Sequence, residues 1–172
     1  MKKNLIYILL FSLSLELSFI AQDSGMDFGF YQNVSGIVED NDLIENSKQF
    51  FQSVDNEVKL YFNEFYQTFS EWKQGKNNNE TLIQKTNDYT LTLENISKKM
   101  ENFSPSKEYS PIFQSYLKSI KSEIDSNNHF VKYLETGNIT ENKISEDLFS
   151  KAAEYENQAI GTFNRINSEL PN

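Results

Sequence analysis

The sequence predicts an all-α protein: an antiparallel up-down-up-down four-helix bundle behind an N-terminal signal segment. Three observations carry this reading. From residue 42 onward apolar residues recur at intervals of three and four, not two. Four such stretches of similar length are divided by short breaks holding Gly or Pro. The first 21 residues follow a different rule, with two lysines ahead of an apolar run. The expected organisation is a signal peptide at 1–21, a tether or short helix at 22–41, and the bundle at 42–172.

The signal segment comes first. Lys2 and Lys3 form the positive region, and residues 5–15 are the apolar core that export signals use. Glu16 interrupts the run before Leu17, Phe19 and Ile20 resume it. A carboxylate near the middle of a bilayer costs about 2.5–3.5 kcal/mol, which argues against this segment as a stable membrane span, and none is expected after the signal is cleaved. Ala21 suits a cleavage site, whereas Phe19 is large for the position two residues earlier. An uncleaved anchor is the alternative.

Residues 22–41 break the periodicity with Gly25, Gly29 and Gly36. They mix Asp23 and Asp27 with Phe28, Phe30 and Tyr31. Those three rings either fold back on the end of the bundle or form an exposed recognition segment.

The first helix is expected from about 42 to 74, roughly 50 Å long. Its inner face is read as Ile44, Phe51, Val54, Val58, Tyr61, Phe65 and Trp72, widened by Phe62 and Phe69. Asp42 is placed as its cap and Gly75 as its stop. Phe50 and Tyr66 fall off that face and are candidates for a surface contact.

The second helix is expected over 77–103. Leu82, Thr86, Tyr89, Leu93, Ile96, Met100 and Phe103 follow an alternating four-three spacing. Asn77 and Glu80 resemble a capping box. Ser104-Pro105 or Ser110-Pro111 opens the third helix, whose face is read as Ile112, Phe113, Tyr116, Leu117, Ile120, Ile124, Val131 and Leu134. Gly137 ends it. Thr140 is placed as the cap of the fourth helix, with Ile139 stapled on Ile144. Its stripe is read as Ile144, Leu148, Ala152, Tyr155, Ala159, Phe163, Ile166 and Leu170. Short connections force consecutive helices to run antiparallel. A three-helix bundle with a broken element, or a hairpin that dimerises, would use the same stripes.

Residues 104–170 combine a Pro-bearing helix start, a face from Tyr116 to Ile120, a Leu134-Glu135-Thr136-Gly137-Asn138 turn and a closing helix containing alanines. This arrangement resembles small exported helical-bundle proteins and lipoproteins of bacteria and archaea. The resemblance covers the last 67 or so residues, implies the fold and adds no activity. The chain departs from the lipoproteins in having no anchor Cys.

Composition narrows the function. The 172 residues hold 16 basic and 25 acidic side chains, no Cys and one His. Without Cys there is no disulfide framework, thiolate site or Cys nucleophile. One His excludes the paired Glu-x-x-His motif of di-iron bundles. A net charge of −9 argues against nucleic acid as a partner.

Each candidate chemistry has a plainer reading. Asp125 and His129 stand one helical turn apart but lack further ligands, and His129 is expected to face solvent. Glu39, Asp40, Asp42 and Glu45 lack the EF-hand spacing, since Glu45 stands where that loop needs Gly, and they are read as helix-start acids. Asn-x-Ser/Thr triplets begin at Asn33, Asn79, Asn95, Asn102 and Asn138, an expected consequence of an Asn-rich chain. No catalytic, metal or cofactor-binding residue is assigned. The expectation is a non-enzymatic extracytoplasmic protein, periplasmic or secreted, that binds another protein, with a homodimer as one assembly. The alternative is a binder of small apolar ligands in an aromatic-lined cavity of the bundle.

Overall fold

A computed structural model describes residues 40–169. Four helices account for 89% of them, with no strand among the described residues: α1 Asp40–Lys73, α2 Asn79–Asn102, α3 Ser110–Thr136 and α4 Ile139–Glu169. Residues 40–169 are an all-helical bundle. The signal segment and most of the tether, residues 1–39, lie outside the described residues; Asp40 and Asn41 already belong to α1.

The apolar stripes explain the packing. On α2, Leu82, Thr86, Tyr89, Leu93, Ile96 and Met100 are all buried, as their spacing predicts. Thr86 is tolerated there because its hydroxyl donates to Leu82 O. On α1 the buried face is Phe51, Val54, Val58, Phe65 and Phe69. Tyr61 is a correction: it is 38% exposed. A straight helix turns every 3.6 residues, so the seam drifts against a seven-residue repeat and passes to Phe62, whose ring meets Tyr89 edge-on.

On α4 the stripe holds at Ala152 and Ala159, both buried as the spacing predicts, but it is shifted at the start, where Ile144 is exposed and Ser145 is buried instead. These small side chains let α3 and α4 share the most extensive backbone contact in the bundle. Ser119 donates to Ala152 O and Ser126 to Ser145 O, each at 2.8 Å, so the hydroxyls of α3 are satisfied by the backbone of α4.

The caps differ from the expected ones by one or two residues. Asn78, not Asn77, caps α2 by accepting from the Thr81 amide; Asn77 is engaged with Glu71. Asn138, not Thr140, accepts from the Thr140 amide at the start of α4, where Ile139 is 78% exposed and makes no buried staple. Ser110-Pro111, rather than Ser104-Pro105, opens α3. Gly75 and Gly137 both hold positive φ, the conformation the helix stops require. The segment before α3 is pinned from inside: Ser106 N–H donates to Ser47 Oγ at 2.8 Å, and buried Tyr109 donates its hydroxyl to Asn167 on α4.

Candidate functional site

The strict three-four repeat through α3 runs Tyr109, Phe113, Tyr116, Ile120, Glu123, Asn127, Phe130, Leu134, and every one of these is buried. The same repeat on α4 runs Ser145, Phe149, Ala152, Glu156, Ala159, Phe163, Ile166. Two acids therefore occupy core-facing positions of facing helices. Sequence reading passed over both. It left the repeat for the more apolar Ile124, which is only half-buried, and for Tyr155. Unbroken spacing through Glu123 and Glu156 was the signal that could have found them.

These acids belong to a cluster drawn from all four helices. Tyr89 on α2 donates to Glu123 Oε1 at 3.0 Å. Tyr116 on α3 donates to Asp55 Oδ1 on α1, also at 3.0 Å. Lys59 Nζ, one turn along α1, reaches Asp55 Oδ2 at 2.6 Å. Glu156 on α4 acts on Glu123 and on both tyrosines through its charge.

Burial dominates the electrostatics. It pushes the Glu123 carboxyl up to about 8, the neighbouring Glu156 charge pushes the same way, and the Tyr89 hydrogen bond opposes both. Burial likewise raises Glu156, helped by the Asp55 charge and opposed by Lys59. Tyr89 and Tyr116 are raised by burial first and by their carboxylate partners next, so both phenols remain donors. At neutral pH Glu123 is therefore mainly the neutral acid. Next to it on the same face, Asn127 keeps a buried side-chain nitrogen with no hydrogen-bond partner among the described residues. The cluster can hold and release a proton. Among the described residues no group of three or more His, Cys, Asp or Glu is arranged to hold a metal ion.

A second feature lies on the surface between α1 and α2. Glu57, Tyr61, Thr92, Asn95, Lys98, Lys99 and Asn102 line an open groove of about 480 Å³. Lys99 bonds both oxygens of Glu57 at 2.9 Å. Leu60 and Leu91, sequence neighbours of Tyr61 and Thr92, are 60% and 58% exposed.

The residues singled out from sequence fall elsewhere. Phe28, Phe30 and Tyr31 lie outside the described residues. Phe50 is half-buried and stacks on Phe103, ring centres 4.1 Å apart and planes within 9°. Tyr66 is half-buried and stacks with Phe62 and Phe69. Neither lines the groove, and the structure does not bring the two together. His129 is not paired with Asp125. Its Nδ1 lies 2.6 Å from Glu141 Oε2 on α4, and the side chain is 27% exposed, so the expected solvent-facing histidine is a half-buried link between α3 and α4. Compared with protein-family models, curated proteins and solved structures, the chain finds no match.

Proposed function

We propose that this chain is an exported, non-enzymatic helical module that binds another extracytoplasmic protein, and that the α1/α2 groove receives an amphipathic helix of that partner. The observation that carries the reading is the pair of exposed leucines, Leu60 on α1 and Leu91 on α2, each one helical turn from a lining residue (Glu57 and Asn95) of a groove holding Tyr61, two ammonium groups and two amides. Apolar anchors set among donors and acceptors suit a helix-in-groove contact. Export rests on Lys2, Lys3 and the apolar run at 5–15. No helix among the described residues is long and apolar enough to cross a membrane. The protein reading is preferred to a ligand cavity because the rings of Phe51, Phe65, Phe69, Phe113 and Phe130 pack on other rings inside the bundle.

The up-down-up-down course belongs to the same proposal. Glu57 pairs with Lys99 and Glu64 with Lys85, so partners descend α2 as they ascend α1. Tyr109 reaches Asn167, Ser119 reaches Ala152 and Ser126 reaches Ser145, the same inverse order for α3 and α4.

The test is crosslinking of the tagged full-length protein in its own cells, comparing wild type with a Leu60→Asp, Leu91→Asp double variant. One dominant protein adduct in the envelope or medium, lost in the variant, and a mature N-terminus near Gln22 are the expected results. An adduct that survives the substitutions, a self-adduct alone, or recovery from the cytosol with Met1 intact would overturn the reading.

A further inference from the structure

We propose that the Asp55–Glu123–Glu156 cluster is a proton-held latch: the bundle stays closed while Glu123 carries a proton and loosens between α3 and α4 when Glu123 ionises.

The geometry supplies the argument. Three carboxyl groups from α1, α3 and α4 meet near one ammonium, Lys59, which sits 2.6 Å from Asp55 and acts on Glu156 but not on Glu123. The groups that face Glu123 are Tyr89 from α2, Tyr116 from its own helix, Glu156 from α4, and, through Tyr116 and Glu156, Asp55 with Lys59 from α1. None of the hydrogen bonds brings Glu123 a cation. Its ionisation would therefore place a second carboxylate beside Glu156 in a poorly solvated interior, with one phenol donor as compensation. The raised proton affinity of Glu123 agrees with that placement.

Relief requires water or separation of the helices. Glu156 is the route for both, because it is half-buried whereas Glu123 is buried. The contact next to it is built from small side chains. Ser145, Ala152 and Ala159 bury little apolar area, so around Glu156 α4 is held to α3 by close approach and by the Ser119 and Ser126 hydroxyls, while the Tyr109–Phe163 ring contact lies farther along α4. A local opening of α4 would hydrate both acids and leave the apolar α2 stripe intact.

The experiment uses the full-length protein and its Glu123→Gln variant, whose side chain keeps the shape of the neutral acid. Amide exchange, corrected for the intrinsic rate, is followed at pH 6 and pH 8.5 for residues 119–127, 152–159 and 86–96. In the wild type the opening constant of the first two segments should rise by up to tenfold for each pH unit below about 8, while 86–96 changes less. The variant should show no such rise. Equal pH dependence in wild type and variant, or a rise spread evenly over all three segments, would overturn the latch. Should the variant fail to fold, the wild type decides the same point: the Glu123 carboxyl, assigned by carbon-13, titrating over the same pH range in which exchange of 119–127 and 152–159 rises supports the latch, and a rise with no Glu123 titration in that range refutes it.

Discussion

Tyr89 on α2 donates its phenol to Glu123 Oε1 on α3 across 3.0 Å, with both side chains inside the bundle. The bond joins a helix whose buried stripe is mostly apolar to one with acid and amide in its stripe. It is also the one force among those acting on Glu123 that favours its charged form; burial and Glu156 favour the neutral one.

Tyr89→Phe should therefore do two separable things. Removing the donor leaves a buried acceptor unmatched, costing about 1–3 kcal/mol in urea unfolding at pH 6. It also removes the one interaction that aids ionisation, so the fall of stability with pH should extend to higher pH than in the wild type. Unfolding midpoints collected from pH 5 to 9.5 check both, and an unchanged profile would show that the hydrogen bond leaves the proton affinity untouched.

Phe65 is 8% exposed, with its ring 5.4 Å from that of Tyr89 and nearly parallel to it. Phe65→Ala should cost about 3–5 kcal/mol, the range for truncating a buried Phe. Denaturant unfolding measures it directly. A loss under 1 kcal/mol would mean that the neighbouring rings of Phe62 and Phe69 collapse into the space.

The α2 stripe was legible because apolar side chains hold five of its six buried repeat positions and contrast with polar neighbours. The α4 stripe was legible only in part: Ala152 and Ala159 are buried as their spacing predicts, but Ser145 and Glu156 lack the hydropathy that marks an inward position. The larger Ile144 and Tyr155 beside them drew the reading one residue away, although Ile144 is exposed. The acid cluster was hidden for a related reason. Glutamate on a helix usually marks the wet side, and only unbroken three-four spacing identifies Glu123 as inward. The pairing of Asp55 with Tyr116 spans 61 residues of sequence, so no local pattern encodes it.

Close approach of α3 and α4 predicts an asymmetry between large and small residues on α4. Ala159 is fully buried, and Ala159→Leu should destabilise by about 1–3 kcal/mol or more through overpacking. Ile144→Ala, at an exposed position, should stay within about 0.5 kcal/mol of the wild type. Thermal melts of the two variants distinguish the observed face from the more apolar one. The reverse order of the two costs would restore Ile144 to the core.

The pH dependence has a definite sign. A carboxyl raised in the folded state binds more protons there than in the unfolded chain, so its contribution is complete below the ordinary value of 4.5 and is lost as pH climbs to about 8. One such group gives at most about 1.4 kcal/mol for each pH unit in that interval. Glu156 adds to the effect in the same direction, since burial and Asp55 raise it as well. Glu156→Gln removes this second titration and also the charge that is the second cause of the Glu123 shift. Burial, the larger cause, remains, so Glu123 should still titrate above the ordinary range, but lower than before. The variant should consequently lose less stability between pH 5 and pH 9 than the wild type does. Urea midpoints at those two values measure the difference, and an equal loss in both proteins would show that Glu156 neither contributes a titration of its own in this interval nor raises the proton affinity of Glu123.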